Sequence, residues 1–253
     1  MSSKRRRPVS DQKNPQKRKK KKSSWLLNTF LVLLLVVGLA LIFNTQIRNF
    51  IIQMNGKSYN MDGFTQEDVA ANLAADTSFD FDAVESISTE AVLKAQFENK
   101  NLPVVGAIAI PSVEINLPIF KGLSNVALLT GAGTMKEDQW MGGENNYSLA
   151  SHRTLDGVSL FSPLEYVEVG QVIYVTDLTN IYTYRINFKE TVAPDRIELI
   201  DDIDGRKMIT LITCGDIYAT TRIAVQGDLE ATTPVDEASD EMLNAFQMEQ
   251  RTA

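Results

Sequence analysis

The chain has 253 residues, 44% of them hydrophobic, which leaves room for one large or two small domains around a sizeable core. Its net charge of −7 is unevenly spread: residues 1–24 hold eleven Lys and Arg against one acid, Asp11, so residues 25–253 carry −17. Such an arm can serve nucleic acid, but the apolar run directly after it excludes that reading, and a single cysteine excludes an internal disulfide.

That run, residues 25–43, is uncharged and is unbroken from Phe30 to Phe43 apart from Gly38. As a helix it would reach roughly 28 Å, close to the hydrocarbon thickness of a bilayer. The segment therefore reads as a transmembrane helix. Trp25 suits the interface, and the basic arm stays cytoplasmic by the positive-inside rule. Contact with anionic lipid accounts for the arm without DNA. After Leu41 the run continues Ile42, Phe43, Asn44, Thr45 with no small-residue cleavage site, which favours an uncleaved anchor over a signal peptide. The C-terminal bulk then lies outside the cell.

Residues 44–101 read as an extracellular stalk with helical pieces. Thr65 is placed to cap a helix whose first turn holds Gln66, Glu67 and Asp68, with Val69, Leu73 and Ala74 as a weak apolar face. A second helix is expected over 89–98. From Leu102 the pattern changes to short runs of β-formers broken by turn residues: 104–110, 115–120, 147–152, 171–176, 181–188, 208–213 and 222–229. Pro118 suggests an edge or a bulge in the second run. Tyr182, Tyr184 and Ile186 alternate with Thr183, Arg185 and Asn187, and Asp177 to Asn180 forms a hairpin-like turn. Seven short strands with little helix between them argue for an all-β sandwich or barrel over 102–230. Short helices are expected near 126–129 and 161–166. Residues 231–253 form an acidic tail in which 237–248 has helical character.

Chemistry concentrates at two strand ends. Cys214 closes the run Thr210-Leu211-Ile212-Thr213 and is followed at once by Gly215, which lets the backbone turn at a rim. A free cysteine is often only a small buried hydrophobe, but an exported lone thiol at a strand end points to use. His152, the sole histidine, ends another strand in Ala150-Ser151-His152. An imidazole is the usual partner that turns a thiol into a nucleophile. Arg222 begins the last strand, and a hairpin through 216–221 brings it beside Cys214. There it is a candidate oxyanion donor or, alternatively, an ion-pair partner for Asp216.

These residues resemble a sortase. Thr-Leu-Ile-Thr-Cys at 210–214, the downstream Arg222, Ala-Ser-His at 150–152 and an anchor before a β domain look like the class A housekeeping branch of Gram-positive bacteria. Gly131 to Lys136 and the strand Ile115 to Ile119 look like its streptococcal and lactic-acid-bacterial members. The resemblance implies a closed eight-stranded β-barrel and a cysteine transpeptidase. Its substrates are exported proteins bearing an LPXTG-type signal, cleaved between Thr and Gly through a Cys214 thioester. The acceptor is the amine of a lipid-linked peptidoglycan precursor. His152 is then the acid and base, and Arg222 the oxyanion donor. Thr213 and Ala150 flank the pair as candidate substrate contacts. Ile197, Leu199 and Ile200, in the place of the family's mobile loop, are candidate pocket residues. No metal or other cofactor is implied for the chemistry. Some relatives bind calcium between the third and fourth strands, but Lys136 stands here where an acid is expected, beside Glu137 and Asp138, which argues against calcium dependence. A pilin-polymerising sortase is the alternative. It usually carries a lid and a second membrane segment, and Gln250-Arg251-Thr252-Ala253 ends without an apolar run. A non-catalytic anchored binding domain would make all three residues incidental.

Overall fold

A computed structural model describes residues 22–44, 46–47, 63–85, 87, 102–216 and 218–252. The basic arm before residue 22 and the expected helix over 89–98 lie outside the described residues. The first unit contains helix α1, Lys22–Ile42. Its stretch Trp25–Ile42 is long and apolar enough to cross a membrane, as an anchor or a signal sequence does, and its apolar side chains are exposed.

The second unit is a closed eight-stranded barrel. Its strands are β1 Val104–Ile110, β2 Ile115–Phe120, β3 Ala132–Thr134, β4 Asn146–Ala150, β5 Val172–Thr176, β6 Asn180–Val192, β7 Met208–Cys214 and β8 Arg222–Pro234. Their order around the barrel is β1-β2-β3-β4-β7-β8-β6-β5, and β5 returns to β1. The β2–β3 and β4–β7 pairs are parallel; the others are antiparallel. Alternation fills the interior: Ile108, Leu117, Leu149, Ile173, Tyr184, Ile209, Leu211 and Val225 belong to one buried cluster. On β6, Tyr182, Tyr184 and Ile186 face that cluster while Arg185 and Asn187 are exposed, as the period-two pattern requires. Thr183, on the alternate face by that pattern, is buried instead, next to a shift in the β6–β8 register.

Three local features explain the strand limits. Pro118 precedes the short β2–β3 pairing, which begins at Ile119, so no ladder bond is demanded of it there. The turn after β5 is held by Asp177, whose carboxylate accepts from the backbone N–H of Thr179 and Asn180 at 2.9 and 2.7 Å. β8 continues past residue 230 to Pro234 because 231–234 still pair with 180–183 of β6.

Helix α2, Gln66–Leu73, starts at the expected cap. Thr65 and Asp68 exchange side-chain and backbone hydrogen bonds in a capping box. The helix lies on the barrel rather than standing apart from it. Asn72 Nδ2 donates to Val104 O at 2.9 Å, Gln66 Nε2 donates to Leu178 O, and Val69 is buried. Lys121 Nζ then caps the chain behind it, donating to the carbonyls of Leu73 and Ala75. Helix α3, Asn125–Thr130, and the 3-10 turn Ser162–Tyr166 form where the sequence predicts short helices. Helix α4, Asp240–Ala245, is the shorter core of the helical tail.

Candidate active site

The site forms where β4, β7 and β8 end side by side. Cys214, the last residue of β7, is the direct cross-strand partner of Arg222, the first residue of β8. On the other flank, β4 runs parallel to β7 with Ala150 opposite Ile212. Two bonds carry that pairing onward: Ser151 N–H donates to Ile212 O at 3.2 Å, and Thr213 Oγ1 donates to Ser151 O at 2.9 Å. His152 follows Ser151 directly, so it stands on the chain that leaves β4 beside the end of β7. The three residues picked out in the sequence therefore come from three neighbouring strand ends, with the thiol in the middle.

The connection after Cys214 is tight because Gly215 and Thr221 press together. A Cβ at Gly215 would fall 2.3 Å from Thr221 Oγ1, so a side chain there would push the turn open. Inside the turn, Asp216 gathers donors: the N–H groups of Tyr218, Thr220 and Thr221 and the hydroxyls of Thr220 and Thr221, at 2.7 to 3.2 Å. These bonds hold its carboxyl far below the usual carboxylate range. Asp216 is thus occupied by its own loop. Arg222 Nη1 donates to Ala219 O and Thr221 O at 2.8 and 2.9 Å, and among the described residues no carboxylate forms an ion pair with it. The guanidinium has five N–H donors in a rigid fork, and the two loop carbonyls engage one of its nitrogens.

Burial sets the resting charge. His152 is 8% exposed, and loss of water pushes its imidazole down to about 4. Cys214 is half-buried, and the same effect pushes its thiol up; the charges of Arg222 and Arg153 work in the opposite direction and Asp216 works with burial. At neutral pH both groups are therefore uncharged at rest. A neutral imidazole can accept the thiol proton, and the resulting thiolate would form beside two guanidinium groups.

The expected substrate contacts separate into groups. Ala150 and Ile200 share one patch: with Val84 and Ile212 they lie half-buried against the cluster of Leu123, Leu128 and Met135. Leu199 is half-buried, and its carbonyl accepts from Asn146 Nδ2, Thr210 Oγ1 and Gln226 Nε2. That anchors the 3-10 turn Ile197–Ile200 to β4, β7 and β8. Ile197 is 75% exposed and Thr213 only 2% exposed, its hydroxyl tied to Ser151. Thr213 joins strands here, while the patch takes Ile212 in its stead. Ile212 is legible in the sequence: it stands two residues before Cys214, hence on the same face of β7. Arg153, whose Nη2 pairs with Glu165 at 2.5 Å, is a second residue near the site to which the sequence pattern assigns no role. Lys136 Nζ lies 2.5 Å from Asp202 Oδ1, and the same oxygen accepts from Asn146 N–H. The ammonium joins the β3–β4 connection to the β6–β7 connection. Among the described residues no group of three or more His, Cys, Asp or Glu is arranged to hold a metal ion.

Residues 108–230 match the family model for the sortase domain. Over 226 residues the chain is 50% identical to Sortase A of Streptococcus agalactiae serotype III, covering 88% of this chain and 90% of that protein. The chain belongs to the sortase family. Sortase A of Listeria monocytogenes is 38% identical over 81% of this sortase and 91% of its own length. The crystal structure of the Listeria enzyme superposes with a TM-score of 0.53 at 40% identity, covering 58% of this chain and 99% of that one. Sortase C-3 of Streptococcus pneumoniae, at a TM-score of 0.56 but 18% identity over 77% of this chain and 98% of that one, shares the fold alone. This sortase is thus a cysteine transpeptidase, similar in kind to the A-type relatives it matches, and sorting signals are its general substrate class.

Proposed function

We propose that this sortase cleaves an LPXTG-type signal between Thr and Gly and transfers the exported protein to an amine of a lipid-linked peptidoglycan precursor. The cross-strand pair of Cys214 and Arg222 at the barrel rim carries the reading: one strand ladder holds a nucleophile and a donor for the oxyanion it creates. Cys214 Sγ attacks the Thr carbonyl carbon as its proton passes to His152. Arg222 donates to the oxyanion of the tetrahedral intermediate. The C–N bond breaks, the imidazolium gives its proton to the leaving Gly amine, and a thioester remains on Cys214. The incoming amine then attacks that thioester, loses its proton to His152, and Cys214 leaves as thiolate and is reprotonated. Ala150, Ile200 and Ile212 offer an apolar seat for the Leu-Pro end of the signal. The apolar helix supports a catalytic domain held outside the membrane, with the basic arm inside.

Mass spectrometry of the full chain in detergent, mixed with an LPXTG-type peptide, tests the reading. The expected product is an acyl adduct on Cys214 that disappears when an amine is added, with a transfer product in its place. An unmodified Cys214, or peptide cleaved with no adduct in the wild type and none trapped at acid quench, sinks it.

A further inference from the structure

The loop that carries His152 is closed in part by itself. Arg153 and Leu160 form a lone antiparallel bridge, and Phe161 N–H donates to His152 O at 3.2 Å. Thr154 N–H donates to Ser162 Oγ at 2.8 Å, and Asp156 accepts from Val158 N–H, Ser159 N–H and Ser159 Oγ. Leu160 is the exception to this local closure. It is 1% exposed, yet its backbone sits at φ 54, in the left-handed region that a branched aliphatic residue avoids. Such a conformation persists only when its surroundings hold it. The N–H of Leu160 donates out of the loop, to Arg251 O at 2.7 Å.

The segment that supplies this carbonyl is itself fastened to the barrel. Asn116, 2% exposed on β2, donates through Nδ2 to Phe246 O and Met248 O at 3.0 and 2.7 Å. Arg251 pairs with Glu114 at 2.6 Å, and Thr252 is buried. Ala245 is buried with Ala109, Tyr174 and Ile181, and Met242, Phe246 and Met248 pack against them. A buried amide that binds two carbonyls of a distant segment is a built clasp rather than a passing contact.

We propose that residues 240–252 form a positioning strap that holds the His152 loop, through Leu160, in the geometry proton transfer requires. The inference rests on the Cys214–His152 chemistry proposed above. The strap touches no reacting atom. It acts through one backbone hydrogen bond that fixes a strained residue eight positions beyond the imidazole.

The full chain, tag-free in detergent, offers a clean reporter because it has one histidine. Deleting residues 250–253 removes the Arg251 acceptor. The expected result is a kcat lowered about tenfold with KM for the sorting peptide unchanged, since misplacement of an acid–base group acts on the chemical step. In the same protein the single imidazole NMR signal should titrate at a higher pH than in the wild type, as water reaches the loosened loop. Asn116→Ala, which frees the carbonyls of Phe246 and Met248, should shift both readouts in the same direction by a smaller amount. Arg251→Ala keeps the backbone acceptor and should stay near wild type in both. An unchanged kcat and an unmoved imidazole signal in the folded deletion and in Asn116→Ala overturn the strap. Should the wild type fail to form the acyl enzyme, the mechanistic reading fails instead, and the imidazole signal still decides the strap.

Discussion

The two sides of the site are held by different means. Cys214 and Arg222 belong to a continuous antiparallel ladder in which β7 and β8 stay in register from Met208 to the rim. Their separation is set by strand geometry, and the bonds of that ladder are local and repeated. His152 lies beyond the last paired residue of β4, on a loop whose fastening is a patchwork: one lone bridge, an Asp-centred turn and a carbonyl from residue 251. Cys214 and Arg222 are held firmly because the sheet that carries them is rigid. His152 is placed by contacts that single substitutions can loosen, so under the proposed mechanism the loop side is where rate can be altered without harm to the fold.

Mutations test this division in order of expected effect. Cys214→Ala should abolish transfer outright, because no other thiol exists, while the melting temperature stays within a few degrees of wild type; peptide transfer by that variant would remove the covalent mechanism. Arg222→Lys should lower kcat about a hundredfold, since a single ammonium cannot keep both loop carbonyls and aim at an oxyanion. Full activity of that variant would take Arg222 out of the reaction and leave it a loop anchor.

Stability against pH probes the loop side. His152 titrates near 6.5 when unfolded but only at about 4 in the folded protein. Above pH 6.5 it is neutral in both states. As pH falls from 6.5 towards 4, the unfolded chain takes up a proton that the buried imidazole refuses. Stability should drop by on the order of 3 kcal/mol across that window. His152→Gln should lack this component, which urea midpoints at pH 7 and pH 4 would reveal; equal losses in both proteins would show that the imidazole is not buried in solution. The smallest effect concerns cations. Because Lys136 already joins the two loops through Asp202, a chelator should leave the transfer rate unchanged, and strong inhibition would reopen a role for a divalent ion.

Legibility in the sequence divides along the same line. Val104–Ile110 and Ile115–Phe120 are readable to the residue because β-formers are bounded there by Pro111, Glu114 and Lys121. The Cys214–Arg222 pair is readable because a short hairpin leaves few alternatives. β3 is not visible in the pattern, and only the family resemblance supplies an eighth strand. Ala132-Gly133-Thr134 has little strand propensity of its own. It forms because β2 and β4 flank it, and Gly133 allows an approach in which a Cβ would meet Gly122 O at 2.4 Å. The cap at Thr65 is evident from the sequence, but the packing of α2 on β1 is not, since it depends on Asn72 reaching a carbonyl 32 residues away. The clasp at Asn116 spans 130 residues or more, and no local signal marks an asparagine inside an apolar strand as a fastener for a distant backbone.

If the half-exposed face of Ala150, Ile200 and Ile212 seats the leucine of the signal as proposed, it has a consequence for errors in substrate choice. Aliphatic carbons judge a ligand by its volume, and each missing methylene weakens binding by roughly 1–3 kcal/mol. A leucine in the signal would be favoured over valine by a moderate factor and over alanine by a much larger one. Against an isomer of equal volume the face has almost no means of refusal. A cell that relies on it would therefore keep near-miss signals out of its exported proteins, or depend on the proline and threonine of the motif for the remaining discrimination.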